Sequence, residues 1–198
     1  ELIATKPRKH VRALKVLSVG QLVSIKGYPL SLSAFKKHSE EHKRSHLEIV
    51  GSGPLKSELV QLACSLGVID DVNFTGQITR DEVLKKMSQS HVFLFPSFEG
   101  AGMVVIEAMA KGLPVVCLDF GGPGEYVTDE CGIKVPLTDP EDVIQGLADA
   151  LSRLASEPEL YERLSEGAIE RVRNHYLWDH VGERLNLLYR QLLDEASG

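Results

Sequence analysis

Residues 92–118 read VFLFPSFEGAGMVVIEAMAKGLPVVCL, and this stretch decides the fold class. Its first four residues are an apolar run that stops at Pro96, and its last four are a second apolar run. Gly100 and Gly102 separate the first run from a segment of helical character that begins near Met103. A strand, a glycine loop, a helix and a second strand in this order are typical of a parallel α/β sheet.

The same alternation of short apolar runs and helical segments covers the rest of the chain. Short runs that do not alternate with polar residues suit strands buried on both faces. Thr79 and Glu82 form a capping-box pattern, and Asp139 followed by Pro140 opens a later helix. We therefore predict one α/β domain with a six-stranded parallel sheet, helices on both faces and extra C-terminal helices. The further strands cover residues 15–19, 47–50, 72–75 and 132–135, and the C-terminal helices cover 140–155, 158–173 and 177–195.

Composition limits the classes of function that the chain can serve. The 198 residues carry 22 Lys and Arg against 28 Asp and Glu, a formal net charge of −6. This lack of surplus cations argues against nucleic-acid binding, and 43% hydrophobic residues exclude a disordered chain. No apolar run approaches the ~18 residues of a membrane span. Because the chain starts at Glu1 rather than Met, we expect a piece of a longer protein, with an interdomain linker at 1–14 and a domain at 15–198.

Cysteine and histidine spacing gives no evidence for a metal centre or a disulfide framework. Three cysteines without a C-x-x-C pair fit a reducing compartment. Cys64 and Cys117 lie in apolar patterns, so we expect both to pack in the core. His38, His42 and His46 fall four residues apart, but lysines and arginines crowd them. A solvated helix surface is the favoured interpretation, and no metal site is predicted.

The glycine loop and the helix after it have the chemistry of an anion or hydroxyl site. Gly100 and Gly102 let backbone N–H groups approach a ligand, and a helix N-terminus near Met103 offers unpaired donors and a positive dipole end. Glu107 lies one turn later on an otherwise apolar helix, where a carboxylate is costly without a polar partner. Glu107 could accept hydrogen bonds from both hydroxyls of a ribose. It could equally pair with a neighbouring lysine or cap a loop, and both interpretations stay open.

Taken together, these segments resemble the donor-binding half of the group 1 (family 4) retaining glycosyltransferases. That family has the GT-B fold of two facing Rossmann-like domains, and the resemblance covers nearly the whole chain. Glu99 and Glu107 stand at the family's spacing. The other matching segments are AMAKGLPVV at 108–116, GGPGE at 121–125, VGQLVSIKG at 19–27, IVGSGP at 49–54, and the closing helix at 176–193 with Trp178.

The resemblance implies a nucleotide-sugar site in which Glu99 and Lys26 are catalytic. Glu99 would contact hydroxyls of the transferred sugar, Lys26 would neutralise the diphosphate, and Glu107 would hold the ribose. The remaining predicted ligand contacts are Gly20 beside the diphosphate; Gly51 and Gly53 around the nucleoside; Gln77 and Ile78 at the base; Gly100, Ala101, Gly102 and Met103 around sugar and diphosphate; and Gln21.

This sequence departs from the family pattern at three of these positions. Gln21 stands where the family usually has an arginine, which removes one fixed cation from the diphosphate site. Ala101 and Met103 stand where phenylalanine and leucine are usual. These two changes leave more room beside the sugar and leave its identity open.

The resemblance also implies an activity and its partners. The enzyme would transfer a hexose from a nucleoside diphosphate sugar to an acceptor hydroxyl with retention, in polysaccharide, lipopolysaccharide or glycolipid synthesis. It would need no metal or other cofactor. Its partners would be the nucleotide sugar and the N-terminal acceptor domain of the same chain, which is absent here, so the piece alone should transfer nothing. A cytoplasmic location is implied, with membrane contact only through the full-length protein.

Several alternatives remain beside this interpretation. A non-catalytic nucleotide-binding or scaffold module of the same fold is favoured by Gln21, whereas a GT-B epimerase or phosphorylase fits the glutamate pair poorly. Glu125 suits either a helix start or the site. The stripe of Val181, Leu185, Leu188 and Leu192 on the last helix predicts a packing helix rather than a partner-binding one.

Overall fold

Six parallel strands form one sheet in the order β3-β2-β1-β4-β5-β6 in the computed structural model, which describes residues 3–196. The strands are β1 Lys15–Val19, β2 His46–Val50, β3 Val72–Gly76, β4 Val92–Phe95, β5 Val115–Leu118 and β6 Gly132–Val135. The helices are α1 Tyr28–Glu41, α2 Lys56–Ser65, α3 Arg80–Gln89, α4 Met103–Ala110, α5 Gly121–Tyr126, α6 Pro140–Ser156, α7 Pro158–His175 and α8 Trp178–Ala196. The predicted fold class is confirmed.

The strand order reverses between β1 and β4, which pair directly through Val16 with Val92 and Leu17 with Phe93. From β1 the chain proceeds outward to β2 and β3, and from β4 it proceeds the other way to β5 and β6. The loops that follow β1 and β4 therefore separate on opposite sides of the sheet. Such a switch point opens a crevice at the carboxyl ends of the strands, where ligands of open α/β sheets bind.

Two cores cover the two faces of the sheet because successive strand side chains point in opposite directions. Val16 lies in the core that α1, α2 and α6 form on one face. Leu17 lies in the core that α3, α4 and the second half of α7 form on the other. Both side chains are at most 1% exposed. Central strands buried on both faces explain the non-alternating apolar runs in the sequence.

Local capping signals fix where two helices begin. The Thr79 hydroxyl accepts from the Glu82 N–H at 3.3 Å, and the Glu82 carboxylate accepts from the Thr79 N–H at 2.9 Å. Asp139 accepts from the N–H groups of Glu141 and Asp142 at 3.1 and 3.2 Å. These bonds satisfy N–H groups that have no partner inside the helix. Both predicted helix starts are confirmed.

The structure corrects two expectations about individual side chains. Cys64 is exposed on α2, whereas Cys117 is buried as expected. His38 is not on a solvated surface, because it is 1% exposed and contacts the hydroxyls of Ser152 and Ser45 at 3.1 and 3.0 Å. Both errors concern which face of a helix a residue occupies. Cys64 lies on the solvent face of α2 and His38 on the core face of α1, whereas the neighbouring residues in the sequence suggested the reverse.

The last helix does not bury its apolar stripe against the sheet domain. Leu185, Leu188 and Leu192 are 49%, 54% and 61% exposed, so the packing expected for them is not seen within the described residues. The side chains of Trp178 and Val181 lie outside the described part. Within residues 3–196, no helix has the combined length and apolar character that a membrane span requires.

The segment before β1 has no regular structure, but it is held to the domain. The Arg8 N–H donates to the Ser165 hydroxyl at 2.7 Å, and its guanidinium donates to the carbonyls of Lys111 and Met87 at 3.0 and 3.2 Å. Leu14 is fully buried. Residues 1–2 and 197–198 lie outside the description, and the division into a linker at 1–14 and a domain at 15–198 stays a prediction.

Candidate functional site

Lys26 and Glu99 meet at the switch point, as the loops after β1 and β4 predict. The Lys26 ammonium forms an ion pair with Glu99 Oε2, and each side chain is 18% exposed. Lys26 Nζ also lies 5.2 Å from the centroid of the Phe95 ring, at the end of β4. A lysine and a carboxylate that are mostly sheltered from water attract each other more strongly than they would on the surface. The two residues predicted to be catalytic therefore form one charged cluster.

Close backbone approach brings these two loops together. Gly27, directly after Lys26, has φ +65°, and a Cβ there would lie 2.0 Å from the Pro96 carbonyl oxygen. The Phe98 N–H donates to the Ile25 carbonyl at 2.8 Å, which joins the two loops a second time. Only a residue without a side chain fits this left-handed, crowded position. Gly27 therefore fixes the place of Lys26 relative to Glu99.

The start of α4 lies beside the same cluster. Gly102 is the residue before the helix, with φ +66°, and a Cβ there would lie 3.3 Å from Glu99 Oε1 and 2.9 Å from Pro123. Among the described residues, no side chain caps this end of the helix. Free N–H groups and the positive dipole end therefore open toward Glu99, an arrangement suited to an anionic or hydroxylated ligand. Gly100, Ala101 and Met103 adjoin Gly102 in the chain and are exposed, Met103 to 62%.

A hollow of about 320 Å³ lies on the β1–β2–β3 side of the crevice. It brings together several of the residues predicted to meet a nucleoside, namely Gly20, Gln21, Gly51, Gln77 and Ile78. Gly53 does not line it; a Cβ there would lie 2.4 Å from the Leu22 carbonyl oxygen, so this glycine lets the loops after β1 and β2 pack together. The wall of the hollow is thus built by backbone approach of three neighbouring strand ends.

Glu107 lies on α4 and is paired with a residue that the sequence analysis did not identify. The guanidinium of Arg80 donates to Glu107 Oε1 from Nε at 3.0 Å and from Nη2 at 2.7 Å. The Glu107 side chain is 31% exposed and that of Arg80 is 68% exposed. Both bonds fall on one carboxylate oxygen, so within residues 3–196 the second oxygen is available to a ligand. The sequence offered one indication of a role for Arg80, namely that it is the first residue of α3 and closely follows Gln77 and Ile78, which were predicted to contact the base.

Tyr28 is a second residue of the site that sequence reasoning missed. It is 2% exposed, and its hydroxyl donates to the Gly20 carbonyl at 2.8 Å. Burial, and after it the negative charge of Glu99, raises the pKa of the Tyr28 hydroxyl, which therefore stays a donor. It fixes the backbone of the loop that carries Lys26. Its position as the first residue of α1, directly after Gly27, was the only signal in the sequence.

Glu125 is exposed and lies near the end of α5, so it is not a helix-start carboxylate. A role for Glu125 in the site stays a prediction. A larger hollow of about 650 Å³ lies at the amino ends of β1 and β2, lined in part by Arg12, Lys43 and Arg44. α1 and α6 end there, and cations are favoured at such helix ends without any ligand. We therefore place the candidate site at the carboxyl ends of the strands.

Among residues 3–196, no group of three or more His, Cys, Asp and Glu side chains is placed to hold a metal ion. The positive groups of the candidate site are side chains and amides that the chain itself supplies, Lys26, Arg80 and the free end of α4. That the activity needs no metal stays a prediction from the family resemblance.

Comparison with known sequences identifies the family that the chain matches. A sequence profile described as Glycosyl transferases group 1 matches residues 2–171. The D-inositol 3-phosphate glycosyltransferase of Streptomyces bingchenggensis is 35% identical over 192 residues, which cover 91% of this chain and 41% of that protein. This chain spans less than half the length of the curated relatives that it matches, 41% to 45% for three of them.

Solved structures share the architecture of this chain. Sucrose-phosphate synthase from Thermosynechococcus elongatus superposes with a TM-score of 0.75 at 28% identity, covering 93% of this chain and 47% of that one. S. aureus TarM, solved with Fondaparinux, alpha-GlcNAc-glycerol and UDP, gives a TM-score of 0.80 at 21% identity, covering 93% and 37%. At the second identity the likeness shows the fold alone.

Proposed function

The chain belongs to the group 1 glycosyl transferases, and on that premise we propose that it is the donor-binding part of an enzyme that transfers a hexose from a nucleoside diphosphate sugar to an acceptor hydroxyl with retention of configuration. The observation that carries the proposal is the meeting of Lys26, Glu99 and the free N-terminus of α4 at the switch point. A cation, a hydrogen-bond acceptor and a set of amide donors are what a sugar diphosphate requires.

Each part of the donor has a matching group in this crevice. The hollow beside Gly20 and Gly51 suits the nucleoside. We assign the ribose hydroxyls to the carboxylate oxygen of Glu107 that Arg80 does not bond. Lys26 and the amides that begin α4 suit the diphosphate. Glu99 lies between them, where it can accept from hydroxyls of the sugar. The nucleotide complex of TarM supports a nucleotide-sugar donor for the fold.

The proposed catalytic effect is electrostatic. When the sugar departs, negative charge develops on the leaving diphosphate. A lysine and a helix N-terminus that already face this position stabilise that charge without having to reorganise. Glu99 would hold the sugar in the orientation that the acceptor requires. No metal or other cofactor is assigned to the reaction.

The rest of the protein would supply the acceptor. Because the chain spans less than half the length of its curated relatives, we assign acceptor binding to an N-terminal domain of the same chain, in the synthesis of a polysaccharide, lipopolysaccharide or glycolipid. We propose a cytoplasmic enzyme that contacts a membrane only through its full-length form and binds no nucleic acid. The 198-residue piece alone should bind nucleotide weakly and transfer no sugar, and turnover by the piece would contradict this division.

Calorimetric titration with UDP, GDP and ADP tests the donor site. We expect one of them to bind, and Glu107→Ala to weaken its binding by roughly 1.5–3 kcal/mol because a charged acceptor for hydroxyls is lost. Lys26→Ala should weaken diphosphates more than nucleosides. Glu166→Ala, an exposed carboxylate on α7, is the matched control and should change neither. Unchanged binding by Glu107→Ala would remove the ribose assignment.

One observation favours a second candidate, a non-catalytic scaffold of the same fold. Gln21 borders the nucleoside hollow where the family usually supplies an arginine, and Lys26 is already neutralised by Glu99. A scaffold of this kind should bind none of the three nucleotides. The same titration therefore separates the two candidates, and a Gln21→Arg variant that gains affinity would support a functional donor site.

A further inference from the structure

We propose that Ser97 is a positioning residue that holds Glu99 in place for the transferred sugar. The proposal rests on the function proposed above, because it assumes that Glu99 receives a sugar hydroxyl. Ser97 follows Pro96 at the end of β4 and is fully buried. Its Oγ lies 2.8 Å from Glu99 Oε2 and 3.2 Å from the Ile25 carbonyl oxygen.

Of the two acceptors near Ser97 Oγ, Glu99 is the one that receives the hydroxyl proton. A hydroxyl has one proton, and two acceptors compete for it here. The Ile25 carbonyl already accepts from the Phe98 N–H at 2.8 Å, whereas Glu99 carries a negative charge and is the stronger acceptor. Ser97 therefore donates mainly to the carboxylate. Removing its hydroxyl leaves the Ile25 carbonyl with a partner, so the substitution exposes no buried unpaired group.

The two oxygens of Glu99 have different surroundings, and this difference defines the role of Ser97. Oε2 is held by Lys26 and Ser97 together. Oε1 faces Gly102, at 3.3 Å from where a Cβ would be, and so lies toward the open end of α4. A sugar hydroxyl that enters beside α4 can reach Oε1 while Oε2 stays anchored.

Donor binding makes the serine anchor necessary. Lys26 pairs with Glu99, but a diphosphate would compete for the same ammonium. When Lys26 turns to the diphosphate, Glu99 loses its charged partner, and the flexible carboxylate would be free to rotate away from the sugar. The buried hydroxyl of Ser97 cannot follow Lys26, because its backbone is fixed between β4 and the Phe98–Ile25 hydrogen bond. It keeps Oε2 in place and Oε1 directed at the sugar.

The test is the gain in affinity that the sugar adds to the nucleotide. Each protein is titrated with UDP and UDP-glucose, GDP and GDP-mannose, and ADP and ADP-glucose, and the pair that the parent chain binds best is compared across variants. We expect Ser97→Ala to bind the nucleoside diphosphate within about twofold of the parent's affinity. The ratio of its affinity for the nucleotide sugar to its affinity for the nucleoside diphosphate should fall about five- to tenfold below that of the parent. Ser97→Cys has a similar volume and a weak donor, and should behave like Ser97→Ala. Ser97→Thr should restore the sugar's contribution.

A matched control and a second carboxylate variant separate the possible outcomes. Ser31 is also fully buried, and within the described residues its hydroxyl has no hydrogen-bond partner, so Ser31→Ala should leave every ratio unchanged. If Ser97→Ala and Ser97→Cys weaken nucleotide and nucleotide sugar equally, or change neither, Ser97 does not position Glu99. If Glu99→Ala itself keeps the sugar's contribution, or if the parent binds no nucleotide, the proposed function fails and this inference with it.

Discussion

The pH dependence of stability should report the burial of His38, which the sequence did not reveal. His38 lies on α1 and is 1% exposed. Its two ring nitrogens form hydrogen bonds with the hydroxyls of Ser152 on α6 and Ser45 just before β2. Burial, and after it the neighbouring His42 ring stacked at 4.6 Å, lowers the pKa of His38 from 6.5 to about 4. The folded protein thus holds this imidazole neutral at pH values where the unfolded chain protonates it.

The sign and size of the effect follow from proton linkage. Well above pH 6.5 the imidazole is neutral in both states and contributes no pH dependence. Between pH 6.5 and about 4 only the unfolded chain binds the proton, so the free energy of unfolding falls as the pH falls. Between about pH 7.5 and about pH 5.5 one such histidine removes about 1.3 kcal/mol, and below the folded pKa the loss levels off at about 3 kcal/mol.

Urea denaturation at the two pH values measures this loss, and His38→Gln removes the titrating group. A glutamine amide can bond both serine hydroxyls, so the variant should fold. We expect the free energy of unfolding of the parent to fall by about 1.3 kcal/mol more than that of His38→Gln. The pKa of His91 is also lowered to about 4 by burial and the charges of Lys15 and Arg8, but both proteins keep that group, so the comparison cancels it.

A control variant and one possible result test whether His38 is neutral in the folded protein. His175→Gln removes an exposed histidine in the last turn of α7 and should keep the parent's pH dependence. If His38→Gln and the parent lose equal stability between the two pH values, His38 is not held neutral in the folded state.

Three further outcomes are expected from the packing and the ion pairs. Gly27→Ala should cost about 1–3 kcal/mol of unfolding free energy in urea, because its left-handed backbone carries a Cβ 2.0 Å from a carbonyl oxygen of the next loop; an unchanged midpoint would contradict this. Arg80→Ala should weaken nucleotide binding about two- to fivefold, and a double-mutant cycle with Glu107→Ala should show coupling, whereas additive losses would separate the two residues. Leu151→Ala, fully buried on α6, should cost about 2–5 kcal/mol and Leu188→Ala, 54% exposed on α8, at most about 0.5 kcal/mol; equal losses would contradict the burial assigned to them.

The features that the sequence predicted are those set by neighbouring residues. A strand buried on both faces needs a continuous apolar run, and a capping box needs Thr79 and Glu82 three residues apart, so both can be recognised locally. His38 could also have been recognised. His38 follows Phe35 by three residues and Ser31 by seven, and both of these residues are fully buried on the same face of α1. The basic residues around it concealed a periodicity that was present.

The partners of the charged residues could not be predicted in the same way. Lys26 and Glu99 are 73 residues apart in the chain, and Arg80 and Glu107 are 27 apart. Strand order determines which loops share an edge of the sheet, but it does not determine which side chains meet there. For Glu107 the sequence left a ribose and a paired base as equal alternatives. The structure pairs Glu107 with Arg80 through Oε1, and binding of a ribose at the other oxygen stays a prediction.

These pairs change what donor binding must accomplish. Two acids and two bases of the candidate site form ion pairs with one another, so the proposed doubly charged diphosphate would enter a cluster without net charge. Its binding free energy is then the difference between new bonds to Lys26 and α4 and the lost bond between Lys26 and Glu99. Exchange of this kind costs least if Glu99 keeps a second donor when the lysine leaves. Ser97 is buried at 2.8 Å from the oxygen concerned, and the affinity of the site for a complete donor should therefore depend on it.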